Sequence, residues 1–270
     1  MRRKTALSQP VRKAQEIALD KLQVNMSNAL NNAAQGLSLA EKRVMMFAVS
    51  KLDSLKSDGG TPNGAIRLSA REYAGQFNVD ARTAYEQLKD ASDGIFNRYI
   101  RFFEPDERGG KDVKIRWVSR AEYHEGEGWI ALRFTQEVKP HLTILNGQFT
   151  KYKLAQASAL RSIYSWRLLE MLSQYASTGW RQISLDEFHH AMETPETYRQ
   201  NFKDCRQRVI EPAVKELQAK DGWSIEWKPI KNGRKVAELR FKFQRSPQER
   251  LPLDFEEDLA QQPTRGLEAS

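Results

Sequence analysis

Arg206, Gln207 and Arg208 stand side by side in the sequence, with Lys203 shortly before them and Tyr198, Arg199 and Asn201 just ahead. Arginine presents a planar fork of donors that pairs bidentately with a guanine edge, and glutamine pairs the same way with adenine. The run therefore carries the donor set needed to read bases in a major groove. Such residues act together only from one face of a rigid rod. Projected at about 100° per residue, a helix from about Arg199 to Leu217 gathers Phe202, Cys205, Val209, Ala213 and Leu217 on one side. That side is expected to face a core, leaving Arg199, Lys203, Arg206, Gln207 and Arg208 to solvent. Tyr198 and Asn201 fall at the helix entrance, where they are placed to bond phosphates. Pro212 removes one backbone hydrogen bond and predicts a kink. Glu211 and Glu216 flank it, so contact with a polyanion is expected to stop before Pro212.

Further cations lie in the turns that join strand-like segments. Lys228, Lys231, Arg234 and Lys235 surround one turn, and Arg108 and Lys111 another, where phosphates would pass. An earlier helix, predicted over Ala81 to Phe96, opens with Arg82 and Thr83. It also carries Glu86, Asp90 and Asp93, so it is the poorer reader, suited to backbone contact or dimerisation. The whole chain of 270 residues has 43 Lys and Arg against 35 Asp and Glu, a formal charge of +8 that favours a polyanionic partner.

Several chemistries are not motivated. A phosphate-wrapping Walker loop fails, because Gly110-Lys111 is followed by Asp112 and Pro105 stands at the required first glycine. His189 and His190 are adjacent on a predicted helix, so their side chains diverge by about 100° and do not readily share a metal ion. His124 and His141 are isolated, and the carboxylates are scattered. The single cysteine, Cys205, rules out an intrachain disulfide and a multi-cysteine zinc site; it reads as a core residue and suits a reducing cytoplasm. The longest apolar run, Val44 to Val49, is too short to span a bilayer, and Met1-Arg2-Arg3-Lys4 is not followed by an apolar signal segment. The reading is a soluble cytoplasmic binding protein, not an enzyme, with no cofactor, no metal and no membrane partner.

The elements that must position these residues share one grammar. Ser38 with Glu41, Ser69 with Glu72, and Ser184 with Glu187 are capping boxes that open helices. The first predicts a helix from about Leu39 to Leu55. After it come a strand at Ile66 to Leu68, a helix from Ser69 to about Phe77, and a helix capped near Asn78 and Asp80. The period then changes to that of strands at Tyr99 to Phe103, Val113 to Val118 and Trp129 to Phe134, expected to form one small antiparallel sheet. The order recurs: a helix from about Ala159 to Tyr175, a strand at Arg181 to Ile183, a helix from Ser184 to Met192, the long helix, then strands at Trp223 to Trp227 and Val236 to Phe243. Ser69, Glu72, Tyr73 and Phe77 match Ser184, Glu187, Phe188 and Met192 at one offset of 115 positions, the mark of a duplicated module. Helix, helix, hairpin is the winged helix-turn-helix plan. The fold expected is α+β, two tandem winged-helix domains related by pseudo-duplication. The expected division is a flexible basic tail over 1–23, a first domain over 24–145, a second, base-reading domain over 146–245, and a flexible acidic tail over 246–270.

Particular stretches add a family. Met26-Ser27-Asn28-Ala29-Leu30, Leu37-Ser38-Leu39-Ala40-Glu41-Lys42-Arg43, Arg167-Leu168-Leu169-Glu170-Met171-Leu172, Arg208-Val209-Ile210-Glu211-Pro212-Ala213-Val214-Lys215-Glu216-Leu217 and Lys231-Asn232-Gly233-Arg234-Lys235, in this order and spacing, resemble the iteron-binding plasmid replication initiators, the family of the F-plasmid initiator. The resemblance implies monomers that bind repeated origin sites (iterons) in double-stranded DNA through both domains, bend it and help open an adjacent AT-rich region. It also implies homodimers, joined through the first domain, that repress the initiator's own gene from an inverted-repeat operator. The alternative is a dimeric winged-helix transcriptional repressor without initiator activity. Arg206, Gln207 and Arg208 match the basic triplet of the family's recognition helix, with Gln207 departing from an all-arginine version. The implied host partners are the replicative helicase with its loader, and chaperones that convert dimer to monomer. In the acidic tail, Leu251, Leu253 and Phe255 resemble the Leu-x-Leu-x-aromatic peptides that dock in the sliding clamp, with Arg250 in place of the usual leading glutamine; local packing of the tail is the alternative.

Overall fold

The computed structural model describes residues 21–54, 64–104, 107, 110–124, 126–143 and 148–245. All three capping boxes form. The Ser38, Ser69 and Ser184 hydroxyls each accept the amide three residues on, and the glutamate there accepts the serine's own amide. They open helix α2 (Leu39–Ser54), helix α3 (Ala70–Phe77) and helix α8 (Leu185–Met192). Asp80 caps helix α4 (Ala81–Ile95) through bonds from the Arg82 and Thr83 amides. Helices α3 and α8 also end alike, at Asn78 and Glu193, both left-handed with φ of 49° and 50° and again 115 positions apart. The duplication thus extends to backbone conformation.

In the first half, strand β2 (Ile66–Ser69) pairs with strand β6 (Trp129–Phe134), which pairs with strand β5 (Val118–His124), all antiparallel. In the second, strand β8 (Trp180–Ser184) pairs with strand β10 (Lys235–Arg245), which pairs with strand β9 (Trp223–Asn232). Each half therefore runs helix, strand, helix, helix and two-stranded wing, the strand and the wing together forming one three-stranded sheet. The first helix of the second half is α7 (Ile163–Ser173), with Ser162 as its cap. It starts later than the expected Ala159, because a separate short helix α6 (Leu154–Ser158) precedes it.

The expected single sheet of the first half is corrected. Strand β3 (Tyr99–Glu104) and strand β4 (Lys111–Arg116) form a two-stranded hairpin of their own, inserted between α4 and β5. The break is Trp117, fully buried, whose indole N–H donates to the Gln35 carbonyl at 2.8 Å. That anchor turns the chain away from β4 before β5 begins. The first wing is consequently β5–β6, not the hairpin that carries Lys111. At the amino end, strand β1 (Gln23–Ser27) leads into helix α1 (Asn28–Asn32) and pairs with strand β7 (Phe149–Lys153), beyond helix α5 (Lys139–Thr143).

The halves share one core, running through Phe47, Tyr73 and Trp117 on one side and Trp166, Phe188 and Phe241 on the other. Polar contacts lock them together. Glu193 accepts the Gln35 and Gly36 amides at 3.0 and 2.8 Å and pairs with Arg101 at 3.4 Å. Below lies a buried ion cluster: Glu170 on α7 takes Lys42 of α2 at 2.7 Å, Arg167 at 2.6 Å and the Tyr152 hydroxyl at 2.8 Å.

Two histidines stabilise the fold in their neutral form. His141 Nδ1 lies 2.8 Å from the Ser27 hydroxyl, its ring stacked on Phe102; burial holds it below the ordinary imidazole range. Burial, with Arg199 nearby, does the same to His189. In the window below the ordinary value of about 6.5, the unfolded chain binds protons that the folded one does not, so stability is full above that window and is lost as pH falls. The urea midpoint is expected to be lower at pH 5.5 than at pH 7.5, with a smaller difference in His141→Gln; an identical midpoint at both would contradict this.

Candidate nucleic-acid interface

The rod expected over 199–217 is built from three pieces. Asn201 is its cap, its side chain accepting the Lys203 amide at 3.0 Å. Helix α10 (Phe202–Cys205) follows, then a π-helical turn (Arg206–Ile210), then helix α11 (Glu211–Asp221). The kink expected at Pro212 is therefore a widened turn just before it. Cys205, Val209, Ala213 and Leu217 are fully buried, as the apolar projection requires, and α11 packs on α7. Phe202 is only partly buried, while Ile210 and Val214 join the core face. Burial drives the Cys205 thiol up to about 11, which leaves it an inert packing group at neutral pH.

Opposite that core, Lys203, Arg206, Gln207 and Arg208 are exposed on consecutive turns. Arg206 Nε lies 3.3 Å from Glu211 Oε1, and the Arg208 guanidinium lies 5.6 Å from the centre of the Tyr198 ring. Arg199 is different. It belongs to a separate turn, helix α9 (Glu196–Arg199), and donates to the Thr194 and His189 carbonyls at 2.7 and 3.3 Å. Its guanidinium closes the end of α8; it is exposed, as expected, but on the turn before the rod and not on the rod itself.

The second wing is cationic as well. Strands β9 and β10 run long and meet in a tight turn at Gly233, whose φ of 62° a side chain would strain. Lys228, Lys231, Arg234 and Lys235 are all exposed along this wing. The first half offers less. Arg82 pairs with Glu86 at 2.9 Å, and the Thr83 hydroxyl is engaged by Asp80. Lys111 pairs with Glu104 at 3.1 Å on the inserted hairpin, and the true wing turn between β5 and β6 carries Gly126, Glu127 and Gly128. Arg108, and the tail residues Leu251, Leu253 and Phe255, lie outside the described residues.

Among the described residues no cluster of three or more His, Cys, Asp or Glu is placed to hold a metal ion, and no helix is long and apolar enough to cross a membrane.

Comparison with known proteins gives this geometry a context. Residues 23–173 match the initiator replication protein WH1 domain, and residues 184–243 match the initiator Rep protein WH2 domain. Among relatives, an Escherichia coli protein named replication initiation protein is 24% identical over 204 residues, 74% of this chain and 63% of its own length. The Escherichia coli PI protein is 23% identical over 255 residues, covering 83% of each chain. A crystal structure of the Pi initiator protein in complex with iteron DNA superposes with a TM-score of 0.69 at 22% identity, over 84% of this chain and 98% of that one, and so shares its fold. Matched by both winged-helix domains in order, the chain belongs to the initiator Rep protein family.

Proposed function

We propose that this chain initiates plasmid replication by binding repeated iteron sites in double-stranded origin DNA as a monomer, bending the DNA and helping to open an AT-rich stretch beside it. The observation that carries the reading is the second domain's exposed Arg206, Gln207 and Arg208, together with an exposed cationic wing in the same domain, on a protein whose family is that of initiators. Arg206, Gln207 and Arg208 read bases in this scheme. Lys203, Asn201, Tyr198, Lys228, Lys231, Arg234 and Lys235 hold phosphates. The first domain contributes backbone contacts through Arg82 and Thr83 and mediates dimerisation. Support for the latter comes from the outward face of β3–β4, which exposes Tyr99 and Phe103 beside Phe96. Dimers repress the initiator's own gene from an inverted repeat. The host helicase with its loader, chaperones and, through residues 251–255, the sliding clamp complete the partner set.

Footprinting on supercoiled DNA that flanks the gene, combined with permanganate probing for unpaired thymines, tests this directly. Regularly spaced protection with reactive thymines in a neighbouring AT-rich stretch is the expected result. Protection without unpaired thymines would make the protein a repressor only.

A further inference from the structure

Arg206 is held by an acid, on a surface where an acid repels the phosphates of DNA. In a regular α-helix, residues five apart point about 140° away from each other, so Arg206 and Glu211 would not meet. They meet because the backbone between them is widened: the Glu211 amide donates to the Arg206 carbonyl, an i→i−5 bond, across the π-helical turn. Bonding of that kind brings residues five apart onto one side of the rod, and such single turns recur at functional sites. Its position is dictated by the next residue. Pro212 has no amide N–H to give to the Arg208 carbonyl, and its ring would collide with that carbonyl in an unbroken α-helix.

We infer that Glu211 is a positioning residue for base recognition, set in place by Pro212 and the turn before it. Its carboxylate Oε1 lies 3.3 Å from the Arg206 Nε, and the two side chains are 49% and 46% exposed. An exposed pair of this kind contributes little to folding, since solvent screens it. What it does fix is direction. The carboxylate sits on the Nε side of the guanidinium as an ion pair, without a hydrogen bond from the Nε–H, and draws that edge toward the protein by charge, which leaves the terminal nitrogens as the donors for a base edge. The carboxylate also discourages binding where no base contact offsets its repulsion of phosphate. Arg208 is steadied differently, over the Tyr198 ring, so the two arginines are set independently. This inference rests on the reading of Arg206 as a base contact.

The test measures binding of the full chain to a duplex carrying one protected repeat, to single-base-pair variants of it, and to a random duplex of equal length. It compares the unaltered chain with Glu211→Gln, Arg206→Ala and the double variant. Glu211→Gln keeps the size and removes the charge. Its affinity for the random duplex is expected to hold or rise, while discrimination at one base pair falls on the order of tenfold. In the Arg206→Ala background the same change is expected to leave discrimination unaltered. If Glu211→Gln strengthens binding to all duplexes in parallel, with the ratio preserved, Glu211 is a surface charge and the inference fails while Arg206→Ala still loses discrimination. If Arg206→Ala loses none, the base-contact reading fails and takes the inference with it.

Discussion

Arg206→Ala and Arg208→Ala should each weaken binding to the specific repeat by about 1–3 kcal/mol, roughly 5- to 150-fold, while binding to random duplex changes far less. Both side chains are exposed on the rod whose other side is sealed by Cys205, Val209 and Leu217, so truncation leaves the core intact. The effect is therefore on recognition and not on folding, which a matched thermal unfolding curve checks. The two losses should also fall at different base pairs, because Glu211 and Tyr198 orient the two guanidinium groups from different directions. By contrast, Lys231→Ala or Lys235→Ala on the second wing should weaken all duplexes about equally and flatten the salt dependence, as a lost phosphate contact does. Competition binding with specific and random duplex separates the two classes. Equal loss on both duplexes for Arg206→Ala would make it a phosphate contact.

Glu170→Gln should destabilise the protein by about 3–5 kcal/mol, the cost of leaving buried cations without their counterion. Glu170 is fully buried and is the shared partner of Lys42 and Arg167, both also buried. Burial alone would raise its pKa, but Lys42 and Arg167 outweigh that and hold it below the ordinary carboxylate value. For Lys42 the balance runs the other way: burial pulls it down to about 8 even with Glu170 opposing the shift. Removing the carboxylate charge takes away the main opposition to burial, leaving only the weaker pull of Glu193, and lowers it further. The unfolded lysine keeps its proton to about pH 10.4, so over the pH range between the folded and unfolded values the unfolded state binds more protons and stability rises with pH. The variant should recover part of its lost stability as pH is raised from 7 to 9, more steeply than the unaltered chain. Urea unfolding at both values checks the size and the slope. A cost below about 1 kcal/mol would mean that water reaches the cluster and screens it.

How much of this was legible beforehand varies with how local the cause is. The capping boxes at Ser38, Ser69 and Ser184 involve residues three apart and formed as their sequence requires. The 115-residue repeat was equally plain, and it extends to the left-handed Asn78 and Glu193, which no side-chain pattern announced. The apolar face of the recognition rod was visible because burial imposes its period. Strand β5 was not: Ser119, Arg120 and Glu122 make it polar, and its place in the sheet is set by pairing with β6 and by the distant Trp117–Gln35 bond. The role of Arg199 was hidden for a similar reason, since the carbonyls it caps become neighbours only once α8 ends. The meeting of Arg206 with Glu211 lies between these cases. Pro212 announced a disturbance, but whether the backbone bends or widens depends on the packing of Val209 and Ile210 beneath it.

Methylation interference on a single repeat tests the central claim most directly, because a methyl group on guanine N7 lies in the major groove and blocks an arginine fork without touching the phosphates. The account predicts that methylation of particular guanines excludes the protein, and that Arg206→Ala abolishes interference at one of them while the others remain. If no guanine methylation interferes and only ethylated phosphates do, the rod lies along the backbone, and base reading by Arg206, Gln207 and Arg208 is wrong.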